Sequence, residues 1–162
     1  MAAEPVDQIA EPQLLEIAES TLAVVHGRVS PEEIRDFFDR SFSRLAAVIA
    51  AQDVVITGPA LARYGTATED AEEITLGFPV DRHIRPEGEV VAGQLPAGRI
   101  ARLVHRGSFD GLGQSWNLLH SWITEQGLTP GTDRWEVYVT EPSPEMDPAD
   151  LRTEINWSVA TA

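Results

Sequence analysis

The feature that most restricts how this chain can fold is a pattern met twice. Val25-His26 recurs as Val104-His105 at an offset of 79 residues, each pair followed by a turn and a helix; Tyr64 recurs as Tyr138 at 74, and Glu73-Ile74 as Glu154-Ile155 at 81. Offsets that drift by a few residues are what changes in loop length produce. In the first copy, LLEIAESTLAVVHGRV from Leu14 to Val29 alternates like a strand and is long enough to need a bend or a bulge. Ser30-Pro31-Glu32-Glu33 then supplies a capping serine, a proline at the first helical position and acids that suit the free N–H groups of a helix start. Ile34, Phe37, Phe38, Phe42, Leu45, Val48 and Ile49 follow at the three-and-four spacing of an amphipathic helix laid on a sheet. Thr57-Gly58-Pro59 ends that pattern, and ALARYG and EEITLGFPV form a short and a longer strand.

The second copy repeats the order. Glu89 to His105 gives two short strands around Pro96-Ala97-Gly98, and Gly107-Ser108-Phe109-Asp110-Gly111 leads into a helix from about Leu112 to Gln126, closed by Gly127. Its apolar stripe is Leu112, Trp116, Leu119 and Ile123, with Leu118 and Trp122 beside it. WEVYVTEP and LRTEINWSV close the chain as a strand pair. Tandem strand-helix-strand-strand units of this kind predict an α+β fold: a curved antiparallel sheet with both helices on one side and a ligand groove between the halves, a common setting for small-molecule sites. The expected divisions are a disordered N-terminal segment over residues 1–13 and a single domain over 14–162, with halves of about 14–87 and 88–162.

Composition narrows the partners. With 12 Arg, no Lys and 26 acidic residues, the formal net charge of −14 argues against direct binding of a nucleic-acid backbone, which calls for a basic face. Cysteine is absent, which removes disulfides and thiolate metal sites and suits a cytoplasmic protein. The opening MAAEPVDQIAEPQ has neither the basic nor the apolar region of an export signal, and no run suffices to span a membrane. His26, His83, His105 and His120 show no close metal-ligand spacing, so neither a metal nor a cofactor is expected. No nucleotide-binding or nucleophile motif appears. The acidic run from Glu141 to Asp150 is read as a solvated loop.

One residue stands out against the last strand. Glu154 lies in an otherwise apolar or neutral run, and a buried carboxylate is costly without a partner. It is therefore exposed at an edge, paired with a neighbour such as Arg152, or kept for a polar or cationic ligand. Alternation places Arg152, Glu154, Asn156 and Ser158 on one face and Thr153, Ile155, Trp157 and Val159 on the other.

Taken together, Arg63-Tyr64, Gly77-Phe78-Pro79-Val80, GSFDGLGQSWNLLHSW from Gly107 to Trp122, Trp135-Glu136-Val137-Tyr138 and Leu151-Arg152-Thr153-Glu154-Ile155 resemble the GyrI-like small-molecule-binding domain, also met as the effector-binding domain of multidrug-responsive bacterial transcription regulators. The resemblance runs from about Leu14 to Val159 and implies the same tandem fold. It further implies a groove lined by aromatic rings for bulky, aromatic, often cationic compounds, with a glutamate matching Glu154 as countercharge. Two departures are visible: the family has tyrosine where this chain has Phe109, and an aromatic and a proline-bearing strand end where it has Asn156 and Ser158. The expected site is Glu154, Tyr138, Tyr64, Asn156, Trp116 and Phe109.

These readings make the chain a stand-alone, cytoplasmic, bacterial binding protein that senses or sequesters hydrophobic, aromatic or cationic small molecules, as a monomer or weak homodimer, without nucleic-acid or membrane contact. No helix-turn-helix module fits before Leu14. The alternative is enzymatic: related proteins resemble hydrolases that open the cyclopropane of DNA-alkylating natural products, in which Glu154 would be a general base and Asn156 a second partner for the water. A gyrase-protecting interaction ranks below both.

Overall fold

The computed structural model describes residues 11–68, 70–140 and 147–161. Most of the segment expected to be disordered, and residues 141–146 of the acidic loop, lie outside the described residues. In chain order the elements are β1 (Gln13–Ile17), β2 (Ser20–Val29), α1 (Ile34–Ala51), β3 (Leu61–Ala67), β4 (Glu72–Pro79), β5 (Val90–Leu95), β6 (Gly98–Arg106), α2 (Leu112–Glu125), β7 (Leu128–Tyr138) and β8 (Arg152–Thr161). The long strand expected from Leu14 breaks at Ala18-Glu19 into β1 and β2.

Two compact units divide the chain, one formed by Ala18–Ala97 and the other by Met1–Ile17 together with Gly98–Ala162. In the first, α1 packs on antiparallel strands ordered β3-β4-β2-β5; in the second, α2 packs on β1-β6-β8-β7. The fold is α+β, and each unit contains the expected strand-helix-strand-strand series plus one further strand. That further strand moves the boundaries away from a simple division at 87/88. β5 pairs with β2 and β1 with β6, so ladder hydrogen bonds, and not nearness in sequence, decide membership.

Helix placement follows the sequence signals closely. Each helix is entered through a 3-10 turn, Pro31–Glu33 and Phe109–Gly111. At the first, the Glu33 carboxylate accepts from Ser30 N–H at 3.2 Å and Ser30 Oγ at 3.0 Å. α1 buries Phe37, Ser41, Leu45, Val48 and Ile49. α2 sets Leu119 and Ile123 against Ala101, Leu103 and Ile155, with Trp116, Trp122 and Trp157 at the margin. Leu118 is 41% exposed, outside the stripe. Gly127 closes the segment after α2 at φ 76°, where a side chain would be strained.

The registers keep Tyr64 matched to its counterpart Tyr138 but move the Val25-His26 match by one residue and the Glu73-Ile74 match by two, to Arg152-Thr153. Leu76 lies between Val25 and Ala62, as Ile155 lies between Leu103 and Glu136. Val25 therefore corresponds to Leu103, and Gly27, not His26, to His105. The two 3-10 turns, beginning at residues 31 and 109, carry the same offset of 78. A one-residue shift moves a strand residue to the other face. His26 accordingly meets Thr75 Oγ1 at 2.8 Å on the face away from α1, whereas His105 points toward the start of α2. At the true equivalents, bulk is exchanged between strand and helix. A Cβ on Gly27 would lie 2.5 Å from two ring atoms of Phe37, while 78 residues on His105 Nδ1 meets Ser115 Oγ at 2.7 Å.

Candidate functional site

The second unit carries two polar clusters, on opposite faces of β7 and β8. Residues opposite one another in antiparallel strands share a face, and consecutive residues do not. Glu154 is opposite Val104 and Val137, on the face away from α2. Tyr138 is opposite Thr153, and Glu136 opposite Ile155, on the face that α2 covers.

On the face away from α2, Glu154 keeps 27% of its side chain exposed and pairs with Arg102, Nε to Oε1, at 3.5 Å. The same Nε donates to Asn156 Oδ1 at 2.7 Å. Asn156 is fully buried and its Nδ2 lies 3.5 Å from the Trp135 carbonyl oxygen. Arg152, the partner expected from sequence, stands opposite Arg106 on β6. Arg102 takes that place because it is opposite Asn156 across the β6–β8 ladder, a proximity created only by strand pairing.

On the covered face the carboxylate is Glu136, 5% exposed. Its Oε1 accepts the Tyr138 hydroxyl at 2.8 Å and its Oε2 the Trp116 indole N–H at 3.0 Å. Phe109 meets the Tyr138 ring edge to face at 6.0 Å, and Trp116 meets Trp157 in the same way at 5.6 Å. The Trp157 indole N–H donates to Gly131 O at 2.8 Å, so both indole N–H groups are committed and both rings are held. Arg134, on the same face of β7, lies over Trp116 at 5.7 Å and Trp157 at 5.5 Å. Further along, His105 Nε2 faces the Ser108 carbonyl oxygen at 2.8 Å, and the fully buried Thr153 Oγ1 has no hydrogen-bond partner among the described residues.

The structure therefore divides the set expected from sequence. It brings Tyr138, Trp116 and Phe109 together, and corrects their company: they surround Glu136, while Glu154 and Asn156 join Arg102 on the other face. Tyr64 belongs to the first unit, where it is half-buried opposite Ile74 on the face toward α1. Glu136 was missed although its signal was legible. In Arg134-Trp135-Glu136-Val137-Tyr138 alternation puts Arg134, Glu136 and Tyr138 on one side, and that side is the apolar one. A carboxylate in such a position is retained at a cost that hydrogen bonds must offset. Among the described residues no group of three or more His, Asp or Glu is arranged to hold a metal, and no helix is long and apolar enough to cross a membrane.

The second unit thus holds a buried glutamate hydrogen-bonded among aromatic side chains, on a duplicated α+β frame. The sequence pattern of the GyrI-like small molecule binding domain matches residues 10–160, and the chain belongs to that family. No curated protein sequence matches it significantly. Among solved structures it is similar to the EcmrR C-terminal domain, with a TM-score of 0.82 at 18% identity over 94% of this chain and 98% of that one. It also resembles SAV2435 bound to tetraphenylphosphonium, with a TM-score of 0.63 at 16% identity over 93% and 94%. A hydrolase encoded by lin2189 from Listeria innocua gives 0.68 at 12% identity over 98% and 96%. Identities this low establish the shared fold.

Proposed function

We propose that the chain binds bulky aromatic compounds carrying delocalised positive charge, for sensing or sequestration, and that Glu136 is the countercharge. One observation carries this reading: a 5% exposed carboxylate is held by Trp116 and Tyr138, with Phe109 and Trp157 beside them. Aromatic faces attract a cation by about 0.5 to 2 kcal/mol per contact, and a desolvated carboxylate adds the charge partner that rings alone lack. Phe109 is 42% exposed, which gives the cluster an outer wall open to solvent. That SAV2435 holds tetraphenylphosphonium on the same fold is consistent with this ligand class.

The test is titration of a fluorescent aromatic cation into the wild type, Glu136→Gln and Glu154→Gln. Loss of a buried charge partner costs about 2 kcal/mol or more. Glu136→Gln should therefore weaken binding about thirtyfold, with Glu154→Gln close to wild type. Equal affinities for wild type and Glu136→Gln would remove Glu136 from the site. For the hydrolytic reading, the Arg102 guanidinium stands against Glu154 Oε1 and Asn156 Oδ1, so a water activated there would meet the remaining carboxylate oxygen beside an arginine.

A further inference from the structure

Arg134 has no obvious place beside a site for simple cations. It projects from β7 two residues before Glu136 and on the same face, about 7 Å away along the strand. Its guanidinium lies over Trp116 and Trp157, and it forms no ion pair or hydrogen bond among the described residues. Both indoles have spent their N–H groups elsewhere and offer the guanidinium only their π faces. With no hydrogen bond or ion pair among the described residues, the N–H donors of Arg134 remain available, and that planar fork matches a carboxylate or a comparable oxyanion in bidentate fashion.

The face thus presents a positive fork and a buried carboxylate side by side, joined by aromatic rings. A ligand with positive charge alone would be attracted by Glu136 and repelled by Arg134. A planar ligand with a delocalised cation and an acidic substituent meets complementary charge at both. We infer that the site selects aromatic zwitterions over simple lipophilic cations, with Arg134 as the specificity-determining residue. The inference rests on the Glu136 reading above and narrows its ligand class.

Rhodamine B, a xanthylium cation with a free carboxylate, and its ethyl ester, the same cation without the acid, form a matched pair for fluorescence-anisotropy titration. Wild type should bind the acid about tenfold more tightly than the ester, the size expected of one charge-assisted contact. Arg134→Gln should weaken the acid and tighten the ester, so that the preference reverses, whereas Arg134→Lys, which keeps the charge but loses the fork, should fall between. Thermal melts of both variants verify folding. If both dyes bind in a Glu136-dependent manner but the ester binds as tightly as the acid, or Arg134→Gln alters both equally, the inference fails and the Glu136 site stands. If neither dye binds wild type, or Glu136→Gln binds both as well as wild type does, the underlying reading fails with it.

Discussion

The Tyr138 hydroxyl donates to Glu136 Oε1 at 2.8 Å from two positions along the same strand, and this contact turns an unremarked i, i+2 pair into the polar centre of the second unit. Trp116 completes it from α2 at 3.0 Å, which ties helix to sheet through a carboxylate where apolar packing would ordinarily serve. Removing either donor leaves a buried charged acceptor short of a partner. Tyr138→Phe and Trp116→Phe should each lower unfolding stability by about 1 to 3 kcal/mol in chemical denaturation. A loss below a few tenths of a kcal/mol for both would mean that water reaches Glu136.

The network on the other face supplies a control for the proposed role of Glu136. Asn156→Ala takes the acceptor from Arg102 Nε in a fully buried position, and a hydrogen bond to a charged group is worth about 1.5 to 3 kcal/mol. Glu154→Gln removes a partly exposed ion pair and should cost under about 1 kcal/mol. Aromatic-cation affinity, measured on the folded variants, should stay within about twofold of wild type for both. A large loss in Glu154→Gln would return the site to that face.

Gly27 and Phe37 offer a test of how closely α1 packs on β2. A methyl group on Gly27 must displace the Phe37 ring, and overpacking of that kind costs about 1 to 3 kcal/mol. Gly27→Ala should be destabilised by that amount in denaturant titration, and adding Phe37→Leu should recover part of it, a non-additivity expected only of residues in contact. Additive losses would show that the two do not share space.

Acid should loosen the start of α1. Hydrogen bonds from the Ser30 backbone N–H, then from its hydroxyl, hold the Glu33 carboxyl below its ordinary value, with Arg40 adding a smaller pull and desolvation opposing them. A group depressed on folding stabilises the native state above its unfolded pKa, and the contribution fades as pH falls through the folded value. An NMR titration of Glu33 should therefore show a midpoint below the usual glutamate range, moved upward in Ser30→Ala. Identical midpoints in the two proteins would exclude the Ser30 hydroxyl as a cause.

By itself the sequence determined the duplicated frame. Ser30-Pro31, the apolar stripes of α1 and α2 and the closing Gly127 are local signals, written within a few residues of where they act, and the elements form where those signals stand. Alternation along Arg152 to Val159 likewise sorted that strand into two faces correctly. Tertiary structure decided which carboxylate belongs with which partners. Arg102 and Glu154 are 52 residues apart, and Trp116 and Glu136 are 20 apart, so neither contact has a signature in local periodicity. Strand register chose between them, because a shift of one residue carries a side chain through the sheet. It put Glu154 against an arginine on one face, and Glu136 among the indole, phenol and phenyl rings on the other.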